Sequence, residues 1–139
     1  MSRAQVEEFR KANNNITIYN FDEDSTAPIL KPVTTFHQAF YEYPDILATI
    51  DKQGFWKPSP IQAQAWPYLL SGKDLIGIAQ TGTGKTLAFL MPIFIHIDLQ
   101  PVPRGKRGGP NVLILSPTRE LALQIADEVK KYEYHGIKR

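Results

Sequence analysis

A chain of 139 residues holds about one domain of material, so a machine of several domains is not complete within it. With 42% hydrophobic, 11% aromatic and 22% charged residues there is enough apolar content for a core, and 16 basic against 14 acidic residues leave a net charge of +2, too small to argue for a polyanion partner by itself. The absence of cysteine excludes disulfide frameworks, thiolate metal sites and a cysteine nucleophile.

The first ten residues carry Glu7, Glu8 and Arg10 with no apolar stretch, and no run in the chain reaches the ~18 uncharged residues of a membrane-spanning helix. The expectation is a protein with no membrane association that is not secreted and works inside the cell, in the nucleus, the cytoplasm or both. Residues 1–33 read as a polar linker or extension. Val6 to Lys11 suits a short helix halted by Asn13, Asn14 and Asn15, and Asp22, Glu23 and Asp24 form an acidic cluster ahead of Pro28 and Pro32.

From Asp45 to Gln53, Ile46, Leu47 and Ile50 fall at helical spacing, and Gly54 stands where a helix stops. Ser59 before Pro60 marks the start of a second helix, with Gln62 in its first turn; Pro67 predicts a kink or a shortened helix, closed by Gly72. Leu75-Ile76-Gly77-Ile78-Ala79 and Val112-Leu113-Ile114-Leu115 are apolar without alternation and read as buried parallel strands. Each precedes a helix: Lys85 to about Ile97, bent at Pro92, and about Arg119 to His135, with Leu121, Ile125, Val129 and Tyr132 on one face and Gly136 as its cap. Strand, helix, strand, helix predicts an α/β fold. Residues 100–110, with three prolines, three glycines and the basic group Arg104, Lys106 and Arg107, read as a solvated loop.

The turn Ala79-Gln80-Thr81-Gly82-Thr83-Gly84-Lys85-Thr86 fits a phosphate-binding loop except at its first position, Ala79. A strand, a glycine-bearing turn and a helix aim backbone N–H groups and a positive helix end at one point, as a triphosphate requires. Gly82 and Gly84 let the backbone approach, Lys85 is placed for the β- and γ-phosphates, and the Thr86 hydroxyl is placed to ligate Mg²⁺. Upstream, Phe55 and Gln62 admit two readings. In one, Phe55 stacks on a purine while the Gln62 amide pairs with the adenine edge; in the other they are core aromatics and a surface amide. Pro117, Thr118 and Arg119 open a helix with free N–H groups, a hydroxyl and a guanidinium, suited to a strand phosphate or simply to capping. His37, His96 and His135 lack metal-ligand spacing and are read as structural.

Together, the segment Gly54 to Gln62, the loop AQTGTGKT and Pro117-Thr118-Arg119-Glu120-Leu121-Ala122 resemble, in order and approximate spacing, the DEAD-box ATP-dependent RNA helicases. Phe36 fills the place of that family's isolated upstream aromatic, and an alanine at the start of the loop is usual there. The resemblance implies a P-loop NTPase fold, a RecA-like parallel sheet flanked by helices, of which residues 34–139 are an incomplete first part: Q motif 36–62, P-loop 79–86 and motif Ia 117–122. It implies adenine contacts from Phe55, Lys57 and Gln62 and contacts to the phosphates and Mg²⁺ of ATP from Gln80, Thr81, Gly82, Thr83, Gly84, Lys85 and Thr86. Lys85 and Thr86 are then the catalytic residues present, with Thr86 the metal ligand, and Pro117, Thr118 and Arg119 would touch the RNA backbone without reading sequence. Gln64-Ala65-Trp66-Pro67, Gly77-Ile78 and Phe94-Ile95-His96 are similar to the subgroup that carries an N-terminal KH domain, although no KH GXXG loop occurs here.

The family's Asp-Glu-Ala-Asp and Ser-Ala-Thr motifs and its second RecA-like domain are absent from the 139 residues. The expectation is therefore a fragment of an RNA-unwinding enzyme, inactive alone because the charge around the γ-phosphate is incomplete. The alternative is a truncated module that binds ATP and RNA without hydrolysis. A P-loop kinase would leave the Gln segment and the PTREL sequence unexplained.

Overall fold

The structure is a computed structural model that describes residues 1–21, 26–132 and 134–137. The acidic cluster Asp22 to Asp24 lies outside the described residues. Six helices carry the described chain: α1 (Arg3–Ala12), α2 (Phe36–Phe40), α3 (Pro44–Asp51), α4 (Pro60–Leu69), α5 (Lys85–Asp98) and α6 (Arg119–Lys130). No helix among the described residues is long and apolar enough to cross a membrane.

The starts of these helices follow from their caps. Ser2 opens α1 by accepting from the Gln5 N–H at 3.3 Å while the Gln5 side chain accepts from the Ser2 N–H at 2.7 Å. Thr35 opens α2 and Thr118 opens α6 in the same way, each accepting at 3.2 Å from the amide three residues on. The core lies where α2, α3, α4 and α5 meet. Phe36, Phe40, Ile46, Ile50, Trp66, Leu90, Met91 and Phe94 are buried there, joined by Tyr132 and Tyr134 from beyond α6. Each such side chain stabilises by about 1.5–3 kcal/mol relative to exposure. Phe40 meets the Trp66 ring edge-on at 4.7 Å between centroids.

Two helices run across an internal proline without interruption, so α4 is not cut short at Pro67. A proline removes the N–H that would serve the carbonyl four residues earlier. Pro67 frees the Ala63 carbonyl, which accepts from Val33 N–H at 2.9 Å; Pro92 frees the Ala88 carbonyl, which accepts from the Trp66 indole N–H at 3.0 Å. Both orphaned acceptors are therefore used by another element, and the second of these bonds ties α4 to α5.

Three expectations need correction. The described residues contain no β-strand. Segments 75–79 and 112–115 are irregular, with Ile76 70%, Ile78 94%, Leu113 75% and Leu115 83% exposed. A strand is held by hydrogen bonds to a neighbour, and neither segment has one here. α6 stops at Lys130 instead of reaching His135, because the chain turns inward to bury Tyr132 and Tyr134, and His135 and Gly136 take positive φ values of 44° and 63°. The basic loop is not simply solvated. Arg107 donates to the Ile97 carbonyl at 3.0 Å, closing the end of α5, and Arg104 pairs with Asp98 at 2.6 Å. The loop also contains one 3-10 turn, Arg104–Lys106.

His135 is held between two carboxylates, its Nε2 at 2.6 Å from Asp45 Oδ2 and its Nδ1 at 2.8 Å from Asp98 Oδ2, with Tyr134 stacked on the ring at 4.0 Å. Hydrogen bonds to Asp45 and then Asp98 raise the imidazole above its ordinary value. Burial alone would push Asp98 up, but hydrogen bonds and charge from His135 and Arg104 hold it below the usual carboxylate range. Burial drives the Tyr134 phenol up to about 12. The described residues contain no cluster able to hold a metal through three His, Cys, Asp or Glu side chains.

Candidate nucleotide-binding site

The loop 79–86 leads directly into α5. Gly82 (φ 74°) and Gly84 (φ 81°) lie in the left-handed region that only glycine enters without strain. At Gly84 a side chain is excluded twice, since an added Cβ would stand 2.4 Å from Gln62 Nε2. Gly84 is also the N-cap of α5 and supplies no side-chain bond, so the amides of Lys85, Thr86 and Leu87 point outward ahead of the first helical bond, Ala88 N–H to Gly84 O at 3.1 Å. An uncapped helix start with free amides suits an anion.

Lys85 is folded back across the turn. Its Nζ donates to the Ala79 carbonyl at 2.5 Å and the Gln80 carbonyl at 3.2 Å, while the Thr83 hydroxyl donates to the same Gln80 carbonyl at 2.6 Å. These bonds shape the turn around its own ammonium group, which an incoming phosphate would have to draw away. Gln80, Thr81 and Gly82 are exposed, and Thr83, Lys85 and Thr86 are half-buried at the helix mouth. Thr86 offers one hydroxyl, which fits a Mg²⁺ ion that takes its remaining ligands from water and phosphate oxygens.

Gln62 is where the upstream segment meets this turn. It is 5% exposed. Its Oε1 accepts from Ser59 N–H at 3.0 Å and its Nε2 donates to the Gly84 carbonyl at 3.0 Å. The amide that sequence reasoning aimed at adenine thus has one contact on each side within the protein, leaving one N–H and one oxygen lone pair. The Ser59 hydroxyl beside it is buried with no partner. Phe55 (43% exposed) and Lys57 lie on the open turn leading into α4, and Trp56 is 93% exposed. Pro117, Thr118 and Arg119 sit exposed at the start of α6.

Sequence reasoning gave no sign that Arg10 and Gln64 meet. Arg10 Nε donates to Gln64 Oε1 at 3.0 Å, its second nitrogen donates to the Leu30 carbonyl at 3.2 Å, and Gln64 Nε2 reaches the same carbonyl at 2.9 Å. The lead-in is therefore docked on α4 rather than free along its length. Nothing local to a lone arginine in a polar helix signals a partner 54 residues away.

The DEAD/DEAH box helicase family model matches residues 59–139. The chain belongs to that family. Along 99% of its length it is 52% identical to the human protein named Probable ATP-dependent RNA helicase DDX43, and it covers 21% of that protein. It is 48% identical to DEAD-box ATP-dependent RNA helicase 30 of Arabidopsis thaliana, with 85% of this chain and 20% of the relative aligned. Among solved structures it resembles the RNA helicase Prp28 of Chaetomium thermophilum bound to ADP, with a TM-score of 0.75 and 32% identity over 94% of this chain and 30% of that one. The P-loop helicase fold is thus supported, and this DEAD-box chain spans about a fifth of the length of these curated relatives.

Proposed function

We propose that residues 34–139 form the nucleotide-binding part of an ATP-dependent RNA helicase, in which α4 supplies base recognition and the loop 79–86 the phosphate grip. The observation that carries this reading is the 3.0 Å bond from Gln62 Nε2 to the Gly84 carbonyl, which fastens the upstream segment to the mouth of α5. In this reading Phe55, Lys57 and Gln62 face the adenine. The amides from Thr81 to Thr86 and the Lys85 ammonium hold the phosphates, and the Thr86 hydroxyl ligates Mg²⁺. Mg²⁺ supplies charge neutralisation between the phosphates. Thr118 and Arg119, at the exposed start of α6, take a backbone phosphate of RNA. In the longer protein, segments 75–79 and 112–115 would be strands of a parallel sheet. Work on RNA would place the protein in the nucleus, the cytoplasm or both.

The sequence Asp-Glu-Ala-Asp does not occur among the 139 residues, so they should bind ATP without turning it over rapidly. Lys85→Ala should weaken ATP binding at least tenfold, roughly the value of a charge-assisted contact to phosphate. Competition against a fluorescent ATP analogue measures it, and equal affinity in the two proteins would refute the phosphate assignment.

A further inference from the structure

We infer that Arg10 is a positioning residue for nucleotide recognition, acting through α4: it braces the helix that carries Gln62 against the loop at Gly84. The inference rests on the nucleotide reading above and extends it to a helix outside the motifs.

α4 is fastened on two sides. Towards the loop and α5, Gln62 Nε2 donates to Gly84 O and the Trp66 indole donates to Ala88 O, both at 3.0 Å. Towards the lead-in, Ala63 O accepts from Val33 N–H at 2.9 Å, Gln64 Nε2 donates to Leu30 O at 2.9 Å, and the Tyr68 hydroxyl accepts from Leu30 N–H at 2.9 Å. Arg10 closes this second set, because its guanidinium spans Gln64 Oε1 and Leu30 O together. Gln62 and Gln64 are two residues apart, so their side chains leave the helix about 200° from each other. A pull on Gln64 therefore moves Gln62 only by moving α4 as a body.

The bracing geometry is specific. Gln64 is 7% exposed and already spends its Nε2 on Leu30 O, so its Oε1 needs a donor from elsewhere. Arg10 provides that donor and a second one for the shared carbonyl, a two-pronged contact that a lysine cannot reproduce. α1 is held in place independently of Arg10: Val6 is 6% exposed, and Lys31 Nζ donates to the Met1 carbonyl at 2.7 Å. Loss of the guanidinium should thus loosen one side of α4 without releasing α1.

The test is equilibrium binding of ATP and of GTP to the full chain, wild type against Arg10→Ala, Arg10→Lys, Gln64→Met and Gln62→Ala, with Arg3→Ala as the exposed control on the same helix. Melting temperatures are recorded alongside. Arg10→Ala and Gln64→Met should each weaken ATP binding about tenfold, and GTP binding less, so that the preference for ATP narrows; Arg10→Lys should restore part of it. If Arg10→Ala fails to fold, Gln64→Met, which keeps the side-chain length but removes both bonds, decides. The inference is overturned if Gln62→Ala narrows the preference while Arg10→Ala and Gln64→Met leave it unchanged. It is equally overturned if they weaken ATP and GTP alike in step with a lowered melting temperature, the mark of a merely structural contact. A wild type with no preference for ATP, or a Gln62→Ala that keeps the preference, brings down the nucleotide reading itself and the inference with it.

Discussion

His135 ties α3, α5 and the turn after α6 through Asp45 and Asp98, and its environment gives the bond a pH dependence with a definite sign. A group whose folded value is raised contributes stability that is full below its ordinary value of 6.5 and disappears as pH climbs through the folded value. Asp98, held below its ordinary value of 3.8, contributes above that value and loses its share as pH drops through the folded one. The thermal midpoint should therefore decline as pH rises from about 6 into the mildly alkaline range, and His135→Gln should flatten that decline. An equally steep decline in the variant would show that other groups set it. None of this was legible in the sequence, where His135 shared no spacing with a partner; the contact to Asp45 spans 90 residues. The turn at Gly82 and Gly84, by contrast, was readable as a turn, and both glycines take positive φ values that other residues adopt only with strain.

At the level of elements, helix starts were visible at Ser59 before α4 and Thr118 before α6, whereas the short α2, capped by Thr35, was not foreseen. Helix ends and strands were less visible, because both depend on what lies across the fold. α6 gives way early to bury Tyr132, and the segments at 75–79 and 112–115 cannot pair without neighbours. What the prolines do was readable in principle, since counting four back from Pro67 and Pro92 names Ala63 and Ala88 as the carbonyls left over; only the donors required the structure. Trp66→Phe should cost about 1–3 kcal/mol from the buried Ala88 carbonyl left unserved, with a further contribution from lost packing. In a Pro92→Ala background the restored amide can serve that carbonyl, so the same substitution should cost about 1 kcal/mol less, a coupling that denaturant unfolding of the double-mutant cycle resolves. Strict additivity would contradict the assignment of that hydrogen bond.

At the scale of the molecule, helices without a sheet among the described residues leave an uneven surface. Phe36, Trp66, Met91 and Tyr132 make one continuous core, while Ile76, Ile78, Leu113 and Leu115 stand in solvent on backbone that lacks a ladder. Unpaired apolar backbone of this kind associates with other copies. Leu113→Lys with Leu115→Lys should reduce light scattering at high protein concentration and leave the melting temperature nearly unchanged, since both side chains already lie in water. A large drop in melting temperature would mean that these leucines are packed after all.

The two carbonyls freed by proline also equip the molecule with its own gauges. The Val33 amide and the Trp66 indole proton each resist exchange with heavy water only while the piece that shelters them stays seated, the first reporting on the lead-in and the second on α5. Trp56, 93% exposed, supplies a second indole that exchanges at once, so a single spectrum carries both the clock and its zero.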